Sequence, residues 1–208
     1  MMTRATTSDA SRKAVIRTAA FANRRDQEDK DNLSRAIMRT FMELPEYTVA
    51  KTVMFYVDVR AEVRTRFDLP TALSQGKKVV VPWCNDEGEL ELFHLESMDE
   101  LEIGMYKILE PAAHLRNVIG KRVKVTELDL IMVPGVGFDS RGGRTGMGKG
   151  YYDKCLEHAR TDAAIVAVCF ECQMFEEIPV QAHDIYMDKV ITETTTYEGI
   201  GRSERGED

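Results

Sequence analysis

Five short apolar runs govern what this chain can fold into: 52-TVMFYV-57, 78-KVVVPW-83, 128-LDLIMV-133, 163-AAIVAVCF-170 and 189-KVITET-194. Each is strand-length and rich in β-branched residues. None shows the polar alternation of a strand with one face in water. Runs of this kind suit strands buried on both faces. Between them lie segments with helical spacing. A helix is expected over 10–25, and a second over 28–44, where Leu33, Ile37, Phe41 and Leu44 recur. A loop then feeds a helix ending at Gly76, and a further helix is expected from Lys149 or Tyr151 to about Arg160. Strands alternating with helices imply an α/β fold: three layers, αβα, with a mainly parallel central sheet. The segment 85-NDEGELELFHL-95 has a turn at Asp86–Gly88 and alternates beyond it, which suits a small antiparallel edge. Residues 98–127 read as irregular. A single domain over 10–197 is expected, with residues 1–9 and 198–208 disordered.

The chain has 208 residues, enough for one substantial core. Its formal net charge of −7 argues against a general nucleic-acid binder, whose partner demands a basic surface. No apolar run approaches the ~20 residues of a membrane helix. The expected setting is cytoplasmic. The first 25 residues carry Arg4, Arg12, Lys13, Arg17, Arg24 and Arg25 against only Asp9, so a mitochondrial transit peptide is the lesser alternative. Lys13, Arg17, Ala20 and Arg24 fall on one helical face as a basic stripe; Val15, Ile16 and Ala19 are its expected apolar side. Such a stripe is usually a solvated face, but it can also point at an anion.

The four cysteines form no disulfide framework. The pair 169-CFEC-172 lacks the partner motif a zinc site needs. It reads as packing, with Cys169 closing a buried strand and Cys172 a packed thiol. His94, His114, His158 and His183 show no metal spacing.

Chemistry concentrates in 134-PGVGFDSRGGRTGMGKGYYDKCL-156. Seven of the chain's fourteen glycines lie at 135, 137, 142, 143, 146, 148 and 150, directly after an expected strand. Glycine lets backbone N–H groups approach an anion closely. Arg144 and Lys149 add charge, and a following helix would present its positive end. The result suits a polyphosphate cradle, against the plainer reading of a surface loop. It is not a Walker A loop, because position 150 is Gly where that motif needs Ser or Thr. Asp153 has the hard oxygen that Mg²⁺ prefers.

This run resembles the signature of the 5-formyltetrahydrofolate cyclo-ligase family, approximately P-G-x-x-F-D-x-x-G-x-R-x-G-x-G-x-G-Y-Y-D-x-x-L, at every fixed position. The resemblance extends over about 10–194 and takes in 56-YVDVRAEVRT-65, 76-GKKVVVP-82, 108-ILEP-111 and 183-HDIYMDKVITE-193. It departs at Lys107, where the family often has Gly, and at Met147. The resemblance implies ATP- and Mg²⁺-dependent conversion of 5-formyltetrahydrofolate to 5,10-methenyltetrahydrofolate. ATP, the co-substrate, phosphorylates the formyl oxygen; N10 attacks the activated carbon; ADP and phosphate are released. It implies ATP contacts at Lys13, Arg17, Arg144, Gly146, Gly148, Lys149, Gly150, Tyr151 and Tyr152, with Arg144 and Lys149 catalytic. It implies folate contacts at Val57, Glu62, Gly148, Tyr151 and Tyr152, and Mg²⁺ ligands Asp153 and Asp184. Glu62 is otherwise an ordinary solvated acid. A monomer is expected, acting on a small-molecule substrate with or without a polyglutamate tail, and binding neither nucleic acid nor membrane. The alternatives are a sugar-phosphate isomerase or coenzyme A transferase-like enzyme on a related fold, and a non-catalytic nucleotide- or folate-binding protein.

Overall fold

The computed structural model describes residues 8–85, 87–104, 108–180 and 184–202. At its centre is an eight-stranded sheet. Its order is β13 (Thr196–Glu198), β12 (Lys189–Ile191), β10 (Ala164–Val168), β7 (Leu130–Val133), β1 (Thr52–Met54), β2 (Lys78–Cys84), β3 (Leu90–Leu95) and β6 (Arg122–Val123). The five strands from β12 to β2 run parallel. The outer strands pair antiparallel, β13 on one side and β3 with β6 on the other. The fold is therefore α/β with a mainly parallel sheet, as the apolar runs imply. β3 is not the edge, however. β6 covers it from within a stretch expected to be irregular, because two residues are too few to show a period. The same stretch supplies a two-stranded ribbon, β4 (Leu101–Ile103) with β5 (Leu109–Pro111).

The double-sided burial of the central strands is visible residue by residue. Val53, Leu130, Met132, Val166 and Val168 enter one core with Ile37, Met38 and Phe41 of α2 (Lys30–Glu43), Tyr47 of α3 (Pro45–Val49), and Leu69 and Ala72 of α4 (Leu69–Ser74). Their neighbours Met54, Ile131, Val133, Ile165 and Ala167 enter a second core with Phe138, Met187 and Leu156 of α5 (Tyr151–Leu156). That second layer is thin. α5 stops at Leu156, short of Arg160, because the His158 and Ala159 amides turn back to the carbonyls three residues earlier.

Both expected boundaries shift. The first helix, α1 (Asp9–Asp26), begins inside the segment expected to be disordered, where the Ser8 hydroxyl caps it by accepting from the Ser11 amide at 3.4 Å. Residues 1–7 lie outside the described residues. At the other end β13 runs through Glu198, and Arg202 donates to the carbonyls of Ala159, Thr161 and Ala163. Order therefore extends past 197; residues 203–208 lie outside the described set.

The buried face of α1 is only partly the expected one: Ile16 and Ala19 are half-buried. Val15 is 68% exposed, whereas Lys13, Ala20 and Arg24 are buried. The helix lies across a polar crevice instead of the apolar core. The topology places that crevice. β2 lies on one side of β1 and β7 on the other, so the winding direction reverses between β1 and β7, and ligand sites in open α/β sheets form at the carboxyl ends flanking such a point.

Candidate functional site

The glycine-rich segment leaves the carboxyl end of β7 and doubles back as a hairpin, β8 (Gly137–Asp139) against β9 (Arg144–Thr145). Asp139 organises its turn. One carboxylate oxygen accepts from the amides of Arg141 (3.0 Å) and Gly143 (2.8 Å), and the other from that of Ile178 (2.8 Å). The third strand of this small sheet is β11 (Met174–Phe175), parallel to β8. The hairpin delivers Arg144 inward, where it is 8% exposed. Its guanidinium pairs with the Asp153 carboxylate at 2.5 Å, donates to the Pro134 carbonyl at 3.2 Å and faces the Tyr152 ring at 5.9 Å. At Gly150 the backbone turns left-handed, φ 69°, and α5 begins. Its first residues, Tyr151 to Asp153, thereby face the site.

The basic stripe of α1 closes over this loop. Lys13 pairs with Asp184 at 2.5 Å, and Arg17 donates to the Gly146 carbonyl at 3.0 Å. Arg24 donates to the Gly135 carbonyl at 3.4 Å and lies 3.7 Å from Glu62. The stripe is therefore built into the domain.

Together these segments enclose a cavity of about 350 Å³. Lys13, Arg17, Glu62, Arg144, Gly146, Gly148, Lys149, Gly150, Tyr151, Tyr152, Asp153 and Asp184 all line it. Val57 does not; it is half-buried and packs against the first core. Further lining comes from Ala10, Pro134, Gly135, Val136, Thr145 and Met147. Thr145 carried no local signal, since a lone Thr beside a strand is unremarkable; only the hairpin register turns it toward the cavity. Lys107 and His183 lie outside the described residues, as does Asp86 of the expected turn.

Burial shapes the electrostatics. It pushes the Glu62 carboxyl above its ordinary range; Arg24 and the Val59 amide pull the other way but do not cancel it. Burial, aided by nearby Glu62, also raises the Tyr152 and Tyr56 phenols well above theirs, so both remain donors. The two acids expected to hold metal are each engaged by a cation. Among the described residues no cluster of three or more His, Cys, Asp or Glu could enclose an ion. Two carboxylates lining one cavity suit Mg²⁺, which keeps several waters and is commonly bound by one or two carboxylates plus substrate phosphates. They do not make an all-protein cage.

Cys169 is buried and Cys172 half-buried; both are free, and burial raises both thiols. Neither is set up as a reactive thiolate, in keeping with packing roles. Among the described residues no helix is long and apolar enough to cross a membrane.

Comparison with known proteins identifies the family. A chain of Schizosaccharomyces pombe described as "Probable 5-formyltetrahydrofolate cyclo-ligase" is 32% identical over 175 residues, covering 78% of this chain and 84% of that one. The 5-formyltetrahydrofolate cyclo-ligase of Mus musculus is 30% identical over 156 residues, covering 71% and 76%. The solved structure of Aquifex aeolicus 5,10-methenyltetrahydrofolate synthetase superposes with a TM-score of 0.76 at 33% identity, covering 94% of this chain and 97% of that one. The profile of the 5-formyltetrahydrofolate cyclo-ligase family matches residues 9–193, the span that carries the hairpin, the α1 stripe and the cavity carboxylates Glu62, Asp153 and Asp184, and the chain belongs to that family.

Proposed function

We propose that this protein converts 5-formyltetrahydrofolate to 5,10-methenyltetrahydrofolate at the expense of ATP, in a Mg²⁺-dependent reaction. The observation that carries this reading is the meeting, in one cavity, of four cationic side chains, two acids suited to a metal and one half-buried acid of a different environment. A sugar-phosphate isomerase would need the anion cradle and one acid, but not the Asp153–Asp184 pair.

In this reading Lys13 and Arg17 hold the ATP phosphates, with the backbone of Gly146, Gly148 and Gly150 approaching closely. Asp153 and Asp184 would hold Mg²⁺, which neutralises polyphosphate charge. Arg144 and Lys149 balance charge on the phosphoryl group as it passes to the formyl oxygen. Arg144 suits this because its guanidinium lines the cavity beside Asp153. Phosphorylation makes that oxygen a good leaving group, so N10 can attack the carbon, lose its proton and expel phosphate. Glu62 accepts hydrogen bonds from the pterin ring, beside Tyr151 and Tyr152. The protein's contribution is positioning and charge placement. The active unit in this reading is a monomer, and four free cysteines support a reducing, cytoplasmic setting.

The test is direct. Protein, 5-formyltetrahydrofolate, Mg²⁺ and ATP are mixed, and the near-ultraviolet absorbance of the methenyl product is followed alongside ADP release. Equimolar ADP and methenyl product are expected. Well-folded protein that yields no ATP-dependent product would sink the reading; sugar-phosphate isomerisation without ATP would support the alternative.

A further inference from the structure

We propose that Arg24 is a positioning residue for substrate recognition: lying behind Glu62, it holds that carboxylate charged and aimed into the cavity. The inference rests on Glu62 being the acid that meets the folate.

Arg24 belongs to the same face of α1 as Lys13 and Arg17 but lies two turns further along. It is 6% exposed and does not line the cavity. Burying a guanidinium is costly unless it is paired. Here it donates to the Gly135 carbonyl at 3.4 Å, stacks 5.5 Å from the Phe21 ring and lies 3.7 Å from a Glu62 oxygen. It thus ties α1 to the loops after β1 and after β7, the two sides of the switch point.

The groups around Glu62 explain why a cation is needed. From its own loop come the Val59 amide, which donates at 3.0 Å, the exposed Arg60, and Asp58, which opposes the charge. Tyr56 from the end of β1 and Tyr152 from α5 lie close and stay neutral. Arg24 is the buried cation of this set. Without it, burial and Asp58 both favour a protonated Glu62, which cannot accept from two pterin N–H groups.

The experiment is the pH profile of kcat/KM for 5-formyltetrahydrofolate at saturating MgATP. For Arg24→Gln the acid limb is expected to move up by roughly one pH unit, the usual influence of an opposite charge at this range. Activity should recover toward wild type at alkaline pH, with KM for ATP within about twofold of wild type, as expected when only substrate binding is affected. Arg24→Lys, which keeps the charge, should hold the limb within about 0.3 units. Arg24→Met preserves the stem beside Phe21 and repeats the measurement if the glutamine variant does not fold. A limb that stays in place in a folded Gln or Met variant, or that moves as far in Arg24→Lys, overturns the proposal. Glu62→Gln separates the two layers. If it uses folate like wild type, the role of Glu62 fails and the Arg24 role with it. If it loses folate use while Arg24→Gln leaves the limb unmoved, only the role of Arg24 fails.

Discussion

Substituting Gly142 by Ala tests whether the glycine-rich hairpin is held by backbone packing. Gly142 sits at φ +87°, and a Cβ there would lie 2.3 Å from the Met187 carbonyl oxygen, a backbone atom that cannot rotate away. The neighbouring contact is also structural, because the Met187 amide donates to the Gly142 carbonyl at 2.9 Å. Gly150, eight residues on in the same loop, provides the control. It has φ +69°, yet a Cβ would meet nothing within 4 Å. Both alanines carry the left-handed cost of about 1 kcal/mol. Gly142→Ala adds overpacking strain of roughly 2 kcal/mol and a weakened hydrogen bond of about 1 kcal/mol. The expected losses are thus about 4 kcal/mol for Gly142→Ala and about 1 kcal/mol for Gly150→Ala. In thermal unfolding, at roughly 2–4 °C per kcal/mol for a domain of this size, Gly142→Ala should melt about 10 °C below wild type and Gly150→Ala only about 3 °C below it. Urea unfolding with a common slope gives the same comparison without heat. Equal losses in the two variants, within about 0.5 kcal/mol, would show that the clash is relieved by an easy backbone shift, and the account of a rigid hairpin seat would be wrong.

Lys149 is exposed at the cavity rim, so Lys149→Ala should leave the melting temperature within about 1 °C and raise KM for ATP on the order of tenfold or more; unchanged steady-state kinetics would remove its phosphate role. Asp139→Ala strips three backbone amides of a buried acceptor and should cost about 3 kcal/mol in denaturant unfolding, with activity falling as Arg144 loses its seat; a loss below 1 kcal/mol would count against this. Burial raises the Asp129 carboxyl, but the amides of Thr52 and Lys51 and the Arg160 guanidinium outweigh it and hold the group below its ordinary range. A depressed carboxyl stabilises the fold above its unfolded pKa and loses that contribution as pH falls through its folded value. The stability gap between wild type and Asp129→Asn should accordingly be constant near neutrality and shrink below about pH 4; a gap independent of pH would show that charge is irrelevant there.

Local patterns were legible where the physics is local. The buried strands announced themselves because residues covered on both faces must be apolar throughout, and 128–133 and 163–170 do pack into two cores on opposite faces of the sheet. The glycine-rich loop was legible because close approach and left-handed turns leave few residue choices. β6 and the ribbon of β4 and β5 were not, since two or three residues carry no period. The seat of α1 was only partly legible for a related reason. A stripe of cations reads as solvated until something buries it, and what buries it lies far away: Asp184 is 171 residues from Lys13, and Gly146 is 129 from Arg17.

That separation marks the boundary between the two sources of information. From residue order alone came the α/β class, the loop chemistry and the candidates for phosphate and metal. Strand order, set by how eight strands share two cores, decided the rest. It put the reversal between β1 and β7, drew α1 across it, turned the solvated-looking Glu62 into a half-buried cavity acid and set Arg24 behind it. The first kind of fact depends on neighbours within a helical turn or a strand. The second depends on which distant segments can bury their faces together, and no short stretch of sequence carries that.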